Sequence, residues 1–262
     1  MTEVPNDDDK LNAMINSGGD IAGGAVGAAI GFLLGGPAGA AVGGASGPAA
    51  AAAIRKIGHE ATGRLLGPRE KVRVGGALAI AAAHIEQRTK RGERLRTDGF
   101  FENRHHGRSD AEEVAENVLL RSQREAEERK IPFMAYLIGN IAFNSEISAQ
   151  LAHQIVKAAD AMTYRQLCIM KLAAVSDNYA LRETDYRGQG RFDKAQYQIL
   201  YECLDLYQRA LINFGGEVAF GPTDVKPKSM KLQAMGTDMF NEMGLATIPD
   251  ADVAPIAAHL SR

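Results

Sequence analysis

Glycine recurs at every fourth position in an uncharged stretch near the start of the chain, residues 21–54, IAGGAVGAAIGFLLGGPAGAAVGGASGPAAAAAI. Residues four apart lie on one face of an α-helix, so another backbone can approach this glycine face closely. Each interior glycine costs roughly 0.5–1 kcal/mol of helix stability relative to alanine. Such a helix therefore needs a partner surface, a bilayer or both. The register consists of Gly23, Gly27, Gly31, Gly35, Gly39, Gly43 and Gly47.

A turn divides this stretch into two arms. Pro37 follows Gly36, and proline fits the first turn of a new helix but disfavours a continuing one. We therefore predict a helical hairpin over residues 20–66, with Gly36 and Pro37 at its turn. An arm over residues 20–34 would be about 22 Å long, which is short of the roughly 30 Å hydrocarbon core of a bilayer. Membrane insertion, a tightly packed soluble hairpin and an oligomer seam all stay open.

The glycine register at residues 23–47 resembles the glycine-zipper hairpins of bacterial membrane proteins and of pore-forming or toxin-like peptides. The resemblance covers this stretch alone. It implies self-association through the glycine face and contact with a membrane.

Charge is unevenly distributed, although the formal net charge of the whole chain is −2. Residues 1–19 form an acidic segment that we expect to be disordered. Residues 55–108 carry 13 Lys and Arg against 6 Asp and Glu. A basic flank beside an apolar hairpin is typical of the cytoplasmic side of a membrane and favours anionic lipid headgroups. In this flank we expect Arg88, Lys90 and Arg91 to contact phosphate or headgroups.

The first residues, MTEVPNDDDK, lack the basic segment that opens a signal peptide. We therefore expect a cytoplasmic protein that lies at the cytoplasmic face of the inner membrane or inserts into it. Cys168 and Cys203 have apolar neighbours in the sequence. Two reduced core cysteines are therefore expected rather than a disulfide or a metal site.

Residues 67–108 are expected to form a helix and a basic connector. The helix is predicted over residues 68–94, because Gly67-Pro68 combine a helix stop with a helix start. The connector contains Phe100 and Phe101. Basic residues with interleaved aromatic rings can bind RNA or single strands, and they can equally form a solvated connector that two rings anchor.

The remaining residues, 109–262, are predicted to form a helical domain. Ser109 and Thr163 each precede a Glu or Gln by three residues, which is the capping-box pattern of a helix N-terminus. A stripe with a period of 3.6 predicts a helix over residues 193–214. The other predicted elements are helices at 110–130, from 132, at 147–160 and from 164, strand-like segments at 217–220 and 229–232, a short helix, and a frayed turn or helix at 253–260.

The order of two short helices, a longer helix, a β-hairpin and a closing helix is similar to winged-helix modules and covers about residues 147–245. The resemblance places Lys226, Lys228 and Lys231 on the wing, where they could contact phosphate. The helix at 193–214 mixes acidic and basic residues, which favours a protein partner over DNA.

Residues 111–175 resemble helical bacterial proteins of the abortive-infection alpha type, in the runs ERKIPFMAYLIGNIAF and ISAQLAHQIVKAADAMTYRQLCIMKL. This resemblance implies a role in phage defence. It brings no catalytic motif, and the glycine hairpin is not part of it.

Nothing in the sequence indicates an enzyme or a cofactor, since no GxSxG serine, Cys/His/Asp arrangement or distinct carboxylate pair is present. We expect a mainly α fold in which the glycine-zipper hairpin precedes a multi-helix body with a small β-hairpin. The leading hypothesis is a non-enzymatic, membrane-associated helical effector or scaffold that self-associates. Its expected partners are further copies, the inner membrane or anionic lipid, and a protein. A soluble winged-helix regulator that binds DNA and a soluble oligomeric assembly stay open as alternatives.

Overall fold

The computed structural model describes residues 67–104 and 107–262. The acidic segment at 1–19 and the hairpin at 20–66, with its glycine register and turn, lie outside the described residues. The described part is mainly helical and contains a two-stranded antiparallel sheet near the C-terminus, which confirms the predicted fold class at this level. No helix in the described part is long and apolar enough to cross a membrane.

The chain divides into two compact units, of which the first ends at Ala161 and the second is Met162–Arg262. In the first unit, α3 is the central helix, because ten of its 11 residues are buried. α1 packs against α3 and α2, and α2 also packs against α4. The helices described in this unit are α1 (Pro68–Lys90), α2 (Asp110–Arg124), α3 (Ile131–Ile141) and α4 (Ala149–Asp160).

Two predicted helix ends in this unit were wrong. α1 ends at Lys90 rather than near residue 94, because Gly92 follows with a left-handed backbone (φ 84°) that terminates a helix. α2 ends at Arg124 rather than near residue 130, because Glu125 has an extended backbone. A separate 3-10 turn, Glu128–Lys130, leads into α3.

In the second unit, α5 is the central helix, because it contacts α6, α7, α8 and β2. The strands pair antiparallel, with Asn213 opposite Lys231. The helices of this unit are α5 (Tyr164–Ala174), α6 (Lys194–Gln208), α7 (Met235–Glu242) and α8 (Asp250–Leu260), and its strands are β1 (Ile212–Phe214) and β2 (Met230–Leu232).

Both predicted capping boxes are confirmed. The Ser109 hydroxyl accepts a hydrogen bond from the Glu112 amide at 3.2 Å, and the Glu112 carboxylate accepts one from the Ser109 amide at 3.0 Å. Thr163 and Gln166 form the equivalent pair, at 3.2 and 2.9 Å. These reciprocal bonds satisfy amides that a helix N-terminus leaves without partners, and they fix the first turns of α2 and α5.

Two predictions for the second unit were wrong, and a third was right in part. The helix predicted over 193–214 ends at Gln208, because Ala210 has a left-handed backbone (φ 56°), and the last three residues form β1. Residues 217–220 form no strand, since Glu217 makes only an isolated bridge with Phe214. The helix predicted as one option at 253–260 is present as part of α8, but it is packed rather than frayed, since Val253 and Leu260 are fully buried.

Candidate functional surfaces

Arg88, in the last turn of α1, is a cation that the first unit holds internally. The Arg88 guanidinium donates to Glu93 at 2.7 Å and to the Asn140 side chain at 2.8 Å. The guanidinium carbon, Cζ, also lies 4.3 Å from the centre of the Phe143 ring. Arg88, one of the three predicted headgroup contacts, therefore already joins α1, the connector and α3.

Three cations at and just after the end of α1 face solvent. Lys90, Arg91 and Arg94 are all exposed. Within the described part of the chain, the side chains of Arg91 and Arg94 have no ion pair or hydrogen bond. Two positive charges at the end of α1 are thus accessible to an external anion. Arg91 was among the predicted headgroup contacts, and Arg94 was not.

Arg96 organises the connector from inside. Its guanidinium donates to the carbonyls of Ile141 at 3.3 Å and Ile147 at 2.8 Å, and it forms an ion pair with Asp98. The group also lies 4.2 Å from the centre of the Phe100 ring. Because the Arg96 side chain is only 3% exposed, this charge is structural.

The aromatic rings of the connector are used for packing. Phe100 is buried, and Phe101 packs against a cluster of Ile85, Leu95 and Ala142. The two rings also meet edge to face, with centroids 5.4 Å apart. These contacts are those of an anchored connector, because rings engaged in this way do not present their faces for base stacking.

A polar contact between α1 and α3 centres on His84. Its Nε2 lies 2.7 Å from the Asn140 side-chain oxygen, and its ring meets Tyr136 edge to face at 4.8 Å. Asn140 uses the same oxygen to accept from Arg88, so Nε2 of His84 is the donor. Gly139 permits this approach, because a Cβ there would lie 2.7 Å from the imidazole. Burial lowers the pKa of His84, which favours the neutral ring.

The three lysines predicted to lie on a wing are paired within the second unit. Lys226 forms an ion pair with Glu217 at 2.5 Å. Lys228 donates to the carbonyls of Ser176 and Tyr179 at 3.4 and 3.3 Å. Lys231 bonds the Ser176 hydroxyl and the Asp177 carboxylate, both at 3.1 Å, and this hydrogen bond lowers the pKa of Asp177. The lysines thus tie their loop and β2 to neighbouring segments.

The cysteines and acidic groups offer little reactive chemistry. Cys168 and Cys203 are free thiols in buried positions, and burial raises the pKa of Cys203. Across residues 67–104 and 107–262, no group of three or more His, Cys, Asp and Glu side chains could hold a metal ion.

Sequence reasoning missed one surface, on α6. Tyr197 and Tyr201 are exposed there, beside Arg191 and Lys194. The available signal was that both tyrosines fall outside the apolar stripe of this helix and are four residues apart.

Comparison of the chain with protein-family models, with curated proteins and with solved structures gave no match.

Proposed function

We propose that this chain is a non-enzymatic helical effector or scaffold that self-associates through the glycine hairpin at residues 20–66 and contacts the cytoplasmic face of the inner membrane. The observation that carries the proposal is the unbroken glycine register at residues 23–47. A face without side chains gives close backbone packing, and this packing is how small-residue motifs associate helices.

The contacts of α1 support a body that could hold the hairpin. Near the start of α1, Arg73 donates to Glu128 at 3.0 Å and to the Gln123 carbonyl at 3.2 Å. Gln123 in turn donates to Glu70 at 3.2 Å. The helix that begins just after the hairpin segment is therefore fastened at its first turns to the end of α2 and the turn that follows. A firm attachment would let the body restrain or position the hairpin.

The exposed cations support the membrane part of the proposal. Arg91 and Arg94 lie at the end of α1, and a basic side chain near an anionic membrane surface contributes about 1 kcal/mol of attraction. In the proposal these two residues, together with Lys90, face anionic headgroups, whereas Arg88 stays in its internal contacts. The resemblance of residues 111–175 to abortive-infection proteins extends the proposal to bacterial phage defence.

A pair of matched double variants tests the role of the glycine face. Gly27→Leu with Gly31→Leu places two bulky side chains on this face. Ala25→Leu with Ala29→Leu adds similar bulk two residues away, on the opposite side of the helix. We expect the glycine variant to lose self-association and to leave the membrane fraction, and the alanine variant to behave like wild type. Circular dichroism should show the same helical body in all three proteins.

Two results would count against the proposal or change it. A glycine variant that sediments with membranes as the wild type does would contradict it. Carbonate extraction of the wild-type protein separates the inserted hairpin from the soluble assembly, because only an inserted chain stays in the pellet. Full release of an oligomer that also forms without membranes would favour the soluble assembly.

A second candidate is nucleic-acid binding, which the winged-helix-like order of elements predicted over residues 147–245 suggests. The observation in its favour is the two-stranded antiparallel sheet that follows α6. It predicts DNA retardation at low salt that disappears when Lys226, Lys228 and Lys231 are all changed to Glu. Lys157→Glu, at an exposed position of α4, is the control. No retardation by the wild-type protein would dismiss this candidate.

A further inference from the structure

The outward side of α6 carries aromatic area that the fold leaves uncovered. Tyr197 is 47% and Tyr201 61% exposed, whereas the inward side of the helix is buried through Ile199, Leu200 and Cys203. Residues four apart are neighbours on one helix face, so the two tyrosines lie side by side. Since the buried stripe supplies the packing of α6, core formation does not explain the tyrosines.

The Tyr197 ring packs against another ring of the second unit. The Phe192 ring lies 6.0 Å from the Tyr197 ring and 6.1 Å from the Tyr186 ring. Tyr186 is fully buried, and its hydroxyl donates to the Leu260 carbonyl at 3.1 Å. A ring that is backed by packed neighbours loses less freedom when a partner covers it, which favours binding.

The acidic groups of α6 are already neutralised. Glu202 accepts two hydrogen bonds from Arg165, at 2.7 and 2.8 Å. Asp205 accepts from Gln166 at 2.7 Å and from Arg209 at 2.8 Å. The two negative charges of α6 are therefore compensated.

The positive charges beside the tyrosines are not compensated. Arg191 and Lys194 are exposed, and their side chains have no partner among the described residues. Lys194 precedes Tyr197 by three residues, so it shares the tyrosine face. Asp193 lies between the two cations in sequence, but it caps α6 through the Gln196 amide and lies 3.5 Å from Arg262. The α6 surface, defined as Arg191, Lys194, Tyr197 and Tyr201, therefore combines aromatic area with net positive charge.

We propose that the α6 surface binds an acidic protein segment. Tyrosine and arginine are enriched where protein interfaces gain most of their binding energy, and the two cations select carboxylates. Nucleic acid fits less well, because Met162–Arg262 carries 11 Lys and Arg against 12 Asp and Glu rather than a basic excess. The partner segment places an apolar side chain on the tyrosines and carboxylates at Arg191 and Lys194. This interaction is independent of the glycine hairpin.

Peptide selection on the full-length protein tests the proposal. A displayed library of random peptides is selected on the wild type and depleted on Tyr197→Ser with Tyr201→Ser. We expect enriched peptides with several Asp or Glu beside an aliphatic or aromatic residue. For a synthetic copy of the best peptide, fluorescence anisotropy should show roughly tenfold weaker binding or more to the tyrosine variant and to Arg191→Glu with Lys194→Glu.

The control is Lys157→Glu, which removes an exposed cation in the first unit and should leave peptide binding unchanged. The charge variants should keep the wild-type melting temperature, because the substituted side chains are exposed, and the tyrosine variant should stay folded with a small decrease, because Tyr197 also contacts Phe192. A selection that yields no acidic peptide, or peptides that bind the variants as tightly as the wild type, overturns the proposal. So does a single-stranded oligonucleotide that binds the wild type with the same dependence on both tyrosines while no peptide does.

Discussion

Basic residues in the two units include a buried and an exposed kind, which Lys130 and Arg96 in the first unit and Lys231 in the second illustrate. In the first unit Lys130 is 2% exposed and pairs with Glu125, and Arg96 is equally inaccessible against Phe100. In the second unit Lys231 pairs with Asp177 at the surface, where the side chains are 49% and 78% exposed. A basic residue can therefore form a buried, stabilising ion pair at one position and a weak, exposed ion pair at another.

Removing the buried cation of the first unit should have the largest effect. Lys130→Met leaves the Glu125 carboxylate in a site where it is only 9% exposed, and the Asp160 carbonyl loses a donor. Breaking a buried pair on one side costs about 3–5 kcal/mol. Urea unfolding of the full chain measures this loss.

The matched control for Lys130→Met is the same substitution combined with Glu125→Leu. Replacing both partners of a buried ion pair with apolar residues is often neutral or stabilising. We expect the double variant to recover most of the lost stability. A double variant as unstable as Lys130→Met would show that Lys130 stabilises the fold by more than neutralising the Glu125 carboxylate.

Arg96→Met should have the next largest effect. It removes the donors to the Ile141 and Ile147 carbonyls. A hydrogen bond to a charged group contributes about 1.5–3 kcal/mol. The bond to Ile141 is long at 3.3 Å, so we count the Ile147 bond alone and expect a loss of free energy of unfolding in this range. Arg94→Met is the control, because Arg94 is exposed and has no described partner. An equal loss of stability in Arg96→Met and Arg94→Met would contradict a structural role of the buried Arg96 that the exposed Arg94 lacks.

Acid should weaken the first unit through His84. Its pKa in the folded chain is below the ordinary value of 6.5, mainly because the ring is buried. The unfolded chain therefore takes up a proton first, and the contribution of His84 to stability is full above pH 6.5 and declines as the pH falls below it. Melting temperatures between pH 7 and 5 should fall less steeply in His84→Gln than in the wild type. An identical pH dependence of the melting temperature in the two proteins would contradict a lowered pKa of His84 in the folded chain.

Lys231→Met should have the smallest effect. An exposed ion pair contributes about 0–1 kcal/mol, so unfolding by urea should change little. A loss as large as that of Lys130→Met would contradict the contrast between the buried and the exposed ion pair.

Local sequence signals predicted the helix starts of this chain better than the helix ends. Ser109 and Thr163 mark α2 and α5, because a capping box lies within four residues of sequence. The end of α6 was missed, because the apolar stripe continues into β1 and nothing local shows that Ala210 takes a left-handed backbone. The general fold class followed from helical periodicity, whereas the pairing of β1 with β2 depends on contacts between distant residues.

The candidate surfaces show the same limit. Arg88 was predicted to contact phosphate or headgroups. Its internal partners Asn140 and Phe143 lie some fifty residues further along the chain, where spacing gives no hint of contact. Lys231 likewise meets Asp177 across a large sequence separation. The exposure of Tyr197 and Tyr201, in contrast, could have been predicted from their position outside the apolar stripe of α6.

Chemical cross-linking of the full-length protein on vesicles of anionic lipid tests the central proposal most directly. The wild type and the Ala25→Leu with Ala29→Leu variant should give the same ladder of oligomers. Gly27→Leu with Gly31→Leu should give monomer, because bulk on the glycine face blocks close helix approach. An identical ladder from the glycine variant would contradict self-association through the glycine register.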